Sequence, residues 1–162
     1  MAELTNLESK IGEVIGLAQA AQGATDKISG LLDDAELKQA LDRMKQEAVE
    51  TEQRTTQVAE NLDGKKTAIL EKARETKQEA TEMMSTYLGS DADGLDGLEF
   101  LTMAEAGEVG HWQILGTMNQ KAGNSELQQV VDWATPIQQR HFDQTIKGSL
   151  KLAAEEDPNE PA

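Results

Sequence analysis

The chain has no cysteine, which excludes thiolate nucleophiles, thiolate metal sites and disulfides but leaves the compartment open. Aromatic residues are scarce: Tyr87, Phe100, Trp112, Trp133 and Phe142 are the whole set. What remains of the apolar content is Ala, Leu, Ile, Val and Met, which suits close helix–helix packing better than a sheet. No stretch approaches the ~20 consecutive apolar residues of a membrane span. The first residues, Met-Ala-Glu-Leu-Thr-Asn-Leu-Glu, offer neither a basic nor an apolar signal region, so the cytoplasm is the expected location. Positive charge is also short, with 15 Lys and Arg against 30 Asp and Glu, a formal net charge of −15. That balance repels a phosphate backbone and excludes nucleic acid as an expected partner. The acidity serves solubility first, and would also draw metal cations.

What is present is helical periodicity. Leu4, Leu7, Ile11, Val14, Ala18, Ala21, Thr25, Ile28 and Leu32 recur at alternating spacings of three and four, one seam of a first helix about 29 residues long. Asp33, three residues before Glu36, offers a capping box for a second helix with Leu37, Leu41, Met44, Ala48, Thr51, Thr55, Val58 and Leu62 on its seam. Asp63-Gly64 is a turn signal. A third, less apolar helix carries Ile69, Ala73, Thr76, Ala80, Met83 and Tyr87. In the break that follows, Asp91, Asp93 and Asp96 fail the calcium-loop spacing, since Leu95 takes the fifth position and no Glu stands at the twelfth. They are expected to cap a helix instead.

The fourth helix places Leu101, Ala104, Glu108, His111, Leu115, Met118 and Ala122 on its seam and ends at Gly123-Asn124, where Ser125 and Gln128 offer another capping box. The fifth runs from about Glu126 to about Leu152, with Val131, Ala134, Gln138, His141, Thr145 and Gly148 on its seam and a kink expected at Pro136. Residues 1–154 then form a single helical-bundle domain, and 155–162 an acidic tail with two prolines that reads as disordered. Short connections force antiparallel neighbours. Helices 1 and 2 make one hairpin, 4 and 5 another, and helix 3 is long enough to return the chain between them. That is an all-α, ferritin-like antiparallel four-helix bundle with an additional crossover helix. A plain five-helix up-and-down bundle gives the same pattern.

Polar residues interrupt the seams near the helix midpoints. Glu108 and His111 stand i, i+3, as do Gln138 and His141, Glu47 and Glu50, and Gln19 and Gln22. With helix ends aligned, these pairs share one height, and both histidines are expected to lie buried there. Carboxylates and neutral imidazoles in one layer are what a divalent iron, manganese or zinc ion accepts. A layer of hydrogen-bonded polar groups without metal is the rival reading.

The run from Leu37 through Glu47 and Glu50, together with Ala104-Glu-Ala-Gly-Glu108-Val-Gly-His111-Trp-Gln-Ile-Leu-Gly116-Thr117, resembles the bacterial stress-associated ferritin-like proteins, distant relatives of rubrerythrin and ferritin. The resemblance covers roughly residues 10–153 and is best in helix 4. It implies a di-metal carboxylate site and, for rubrerythrin-like members, oxidation of iron or reduction of peroxide. Glu108 and His111 match the Glu-x-x-His pattern. His141 matches the second such histidine, but Gln138 replaces its Glu. Glu47 matches a helix 2 Glu, Glu50 stands where His is common, and Gln19 or Gln22 replaces the helix 1 Glu.

The expected ligands are therefore Glu47, Glu50, Glu108, His111 and His141, with Gln19, Gln22, Glu105 and Gln138 beside them, holding one or two iron or manganese ions. The alternative is a non-enzymatic interaction or structural bundle with a metal-free polar layer. A homo-oligomer is expected, with Leu70, Met84, Trp112 and Trp133 as spare apolar positions for its contacts.

Overall fold

The computed structural model describes residues 2–161. Among them are five helices and no strand: α1 (Asn6–Ser29), α2 (Ala35–Glu60), α3 (Lys66–Tyr87), α4 (Gly94–Ala122) and α5 (Ser125–Ala153). The starts are set by short polar side chains that accept the orphan N–H groups of the first turn. Thr5 and Glu8 form a reciprocal capping box, as do Asp93 and Asp96, so two of the three aspartates of the α3–α4 break cap a helix. Asp34 caps α2, one residue after the expected Asp33, and Asn124 caps α5 in place of Ser125. Gly64 and Gly123, at φ of 69° and 70°, take the left-handed conformation that ends a helix or turns the chain. The α5 helix continues through Pro136.

The helices α1, α2, α5 and α4 pack in a ring, each against the next, while α3 lies outside it, mainly against α1. Gly94, at the start of α4, approaches Leu31 and Leu32 after the end of α1 and Leu152 near the end of α5. The ring neighbours are therefore antiparallel. Two apolar clusters fill the ends. One gathers Ile11, Ile15, Val58, Trp112, Leu115 and Leu127; the other gathers Ile28, Leu41, Met44, Leu98, Phe100 and Leu101.

The outer position of α3 is written in α1. A Cβ added at Gly12 would meet the Ile69 carbonyl oxygen at 2.8 Å, and one at Gly16 would collide with that of Ala73. Two glycines one turn apart thus let the α3 backbone lie directly on α1. Toward its C-terminus α3 offers less: Met83 is 67% exposed and Tyr87 45%, against the expectation that both face inward. An outer helix with one main neighbour buries a narrower stripe than a ring helix.

Candidate functional site

The seams of α2 and α5 lie where their periodicity places them. Thr51, Thr55, Gln138, His141 and Thr145 are all buried. On α4 every second expected seam position is displaced by one residue: Leu101, Glu108 and Leu115 face inward as expected, whereas Glu105, Trp112 and Asn119 take the places of Ala104, His111 and Met118. The buried positions of the helix run Leu98, Leu101, Glu105, Glu108, Trp112, Leu115 and Asn119. The shift takes Glu105 and Trp112 into the core, each 1% exposed, and turns His111 to the flank. The reason is size: Trp112 is the largest apolar side chain on the helix, and burying it outweighs burying an imidazole. That bulk was the signal in the sequence that selects the correct seam.

His111 is consequently not in the middle of the bundle. Its side chain is 34% exposed, with Nε2 3.4 Å from the Glu13 carboxylate of α1 and Nδ1 2.8 Å from the Gly107 carbonyl. Glu50 also faces away; it is 47% exposed and held by Arg54 at 2.7 Å. Gln19 and Gln22 both donate to Glu52, at 2.8 and 2.6 Å, across the α1–α2 contact. Of the spare apolar positions, Trp112 belongs to the core, and Leu70, Met84 and Trp133 are partly buried against it. The Trp133 ring also carries the Arg54 guanidinium 4.3 Å from its centroid.

The residues brought together are Glu47, Glu105, Glu108, Gln138 and His141. His141 is the centre. Its Nε2 faces Glu47 Oε2 at 3.5 Å, and its Nδ1 faces Glu105 Oε2 at 3.6 Å. The imidazole therefore stands between two carboxyls, and its Nε2 is buried with no hydrogen-bond partner. Gln138 donates from Nε2 to the same Glu105 oxygen at 2.6 Å. Glu47 is claimed from the other side, by Arg43 Nε at 2.7 Å and by the Arg140 guanidinium. Neither arginine was foreseen, because charged residues just off a seam resemble any solvated face. Glu108, 5% exposed, accepts none of the side-chain hydrogen bonds of this layer.

Burial governs the protonation of the layer. It pushes the Glu105 carboxyl up to about 8. It pushes Glu108 well above the usual carboxylate range, with the charge of Glu105 adding and that of His141 opposing. It also holds His141 below its ordinary value, against the pull of the Glu47 and Glu108 charges. At neutral pH the Glu105 carboxyl mostly keeps its proton, Glu108 is biased the same way, and the imidazole is biased toward its neutral form. Metal binding here would have to displace those protons.

The donor set does not fit a dinuclear carboxylate centre. Such a centre in a bundle takes a Glu from each of two helices and a Glu-x-x-His pair from each of the other two. Here α1 contributes no carboxylate to the layer, Gln138 carries no charge, and His111 points elsewhere. Among the described residues no three His, Asp or Glu side chains gather so as to hold a metal ion, and no helix is long and apolar enough to cross a membrane.

Glu105 and Glu108 also border a cavity of about 300 Å³ between α1, α3 and α4. Its walls include Leu17, Ala21 and Ala24 of α1, Ala80 and Met84 of α3, and Ala104 and Gly107 of α4. Small side chains on three facing helices leave this space unfilled. Nothing in the seam pattern announced it, since alanine reads as core in any register.

No protein-family model, curated protein or solved structure matches this chain.

Proposed function

We propose that this chain is a ferritin-like bundle whose middle layer works without metal, and that it acts as a binding protein rather than an oxidase or peroxidase. The connectivity supports the first part. Two antiparallel hairpins, α1–α2 and α4–α5, are joined by a helix that runs back along the outside of the ring. One observation carries the second part: Glu47, Glu105 and Gln138 are taken up by partners within the protein, and among the described residues no three donors of the layer converge on a point. Glu47 is matched by two guanidinium groups, Glu105 by Gln138, and the two nitrogens of His141 face different carboxyls. A metal-binding constellation leaves its lone pairs aimed at a shared vacancy.

Elemental analysis of protein purified without chelator, with melting curves at pH 7 with and without Mn²⁺ or Fe²⁺, tests this reading. The expected result is far less than one metal per chain and an unchanged melting temperature. A ligand that bound the folded state would raise it by mass action. Gln138→Glu restores a carboxylate, and a metal-dependent rise should emerge first in that variant. One or two iron or manganese ions per native chain, with a stabilisation abolished by His141→Ala, would replace this reading with the metal-centre one.

A further inference from the structure

We propose that the cavity between α1, α3 and α4 binds a small amphiphile, an elongated apolar body with an amine head, seated with the head at the Glu105 and Glu108 carboxyls. The proposal deepens the binding reading above and rests on those two carboxyls being free of metal.

Shape comes first. The cavity is about 300 Å³, the lower end of the range that ligand pockets occupy. At the ~30 Å³ that a water takes up in the liquid, it holds about ten non-hydrogen atoms. Its walls are mostly apolar, and Met83 and Met103 at the rim are 67% and 52% exposed. Unbranched thioethers of that kind adapt to varied apolar guests.

The polar end selects the head. Glu108 lines the cavity, is 5% exposed, and takes no side-chain hydrogen bond from the layer behind it. A buried carboxyl without a partner is costly unless something supplies one. Neither Lys nor Arg lines the cavity, the His111 imidazole on its wall is engaged by Glu13 and the Gly107 carbonyl, and the nearby Arg43 and Arg140 are committed to Glu47. The missing partner must come from outside the chain, as a hydrogen-bond donor that is positive or becomes so on taking the proton of the acid. An amine does both, whereas an anionic head would place a second acid beside two buried ones. The formal net charge of −15 favours the approach of a cation and repels its anionic counterpart.

Calorimetric titration of the full chain, treated with chelator, against octylamine, octanol and octanoate below their aggregation concentrations tests the proposal. Octylamine should bind saturably at one site, at least about tenfold tighter than octanol, and octanoate should not bind. Glu108→Gln should remove the preference for amine over alcohol while leaving octanol binding in place. Gly107→Phe should abolish binding of both. Gly107 lies on the cavity wall and a Cβ there meets nothing within 4 Å, so this variant adds bulk at the cavity mouth without a backbone clash, and its helical spectrum should match the native one. No octylamine binding to the native chain overturns the proposal. Binding that survives Gly107→Phe overturns it as well, and assigns the amine to the acidic surface. Octylamine and octanol binding equally would refute the role of Glu108. If Mn²⁺ competes with octylamine, the cavity assignment stands and the metal-free reading fails.

Discussion

Trp112 and Glu105 stand about two turns apart on the same face of α4, each 1% exposed, yet they do opposite things to the bundle. Around Trp112 the four ring helices share one apolar cluster, with Ile11 and Ile15 of α1, Val58 of α2, and Leu127 and Val131 of α5. Around Glu105 three of those helices, α2, α4 and α5, meet through an imidazole, an amide and two carboxyls, with an unfilled cavity alongside. Equal burial thus yields a dry, pH-insensitive layer in one place and a titratable layer in the other. The lesson is that exposure alone does not say what a position contributes. The first layer holds the helices together, and the second is tolerated because the first does so.

The largest effect should come from breaking the dry layer. Trp112→Ala removes the largest fully buried side chain and is expected to lower the unfolding free energy by about 3–5 kcal/mol. Urea titrations at pH 6 and pH 8 should give the same loss, since no titratable group lies in that cluster. A loss under 1 kcal/mol would mean that Trp112 does not anchor the bundle.

That contrast also separates what was legible in the sequence from what was not. The seam of α5 could be read position by position, because Val131, Ala134, Gln138, His141, Thr145 and Gly148 all face inward. On α4, two seams that share Leu101, Glu108 and Leu115 are both apolar enough to pass, and spacing alone chose the one containing His111. Only the bulk of Trp112 distinguishes them. The close seating of α3 on α1 rests on Gly12 and Gly16, residues that contribute nothing to an apolar pattern. The partners of the site are illegible for a further reason. Arg140 reaches Glu47 from α5 and Glu13 reaches His111 from α1, pairings between helices that no periodicity within one helix encodes.

A smaller effect sharpens the comparison through pH. Between its unfolded value near 4.5 and a folded value of about 8, Glu105 keeps its proton in the native state and loses it on unfolding. Stability must therefore fall as pH rises through that window. Glu108 is raised for the same reason and acts in the same direction. His141 is lowered from 6.5, so it costs stability only as pH drops below that value, where the unfolded chain takes up the proton. The two trends oppose each other below pH 6.5, and only the carboxyl trend remains above it. Stability of the native chain should decline from pH 6.5 to 8, with Glu105 contributing about 2 kcal/mol at 1.36 kcal/mol per unit. Glu105→Gln should flatten part of this decline and be more stable than the native chain at pH 8. A decline of unchanged size in Glu105→Gln would show that Glu105 is ionised across the range.

The smallest effect separates the two histidines. His141 is 2% exposed and wedged between Glu47 and Glu105, so His141→Ala opens a hole between two carboxyls that keep their arginine and amide partners. A cost of about 1–3 kcal/mol is expected, the usual range for a core side chain cut back to leave a cavity. His111 is a third exposed, and its pairing with Glu13 at 3.4 Å is the kind of surface contact that contributes between zero and about 1 kcal/mol. His111→Ala should therefore lower stability by less than about 1 kcal/mol, and added salt should reduce even that. In the metal-centre reading His111 is a ligand as essential as His141, and the two alanine variants would remove the same metal-dependent stabilisation. Melting curves of both variants, at low and high salt and with and without Mn²⁺, decide the matter. Unequal losses that ignore the metal place His141 alone in the layer, whereas equal, metal-dependent losses would return His111 to it.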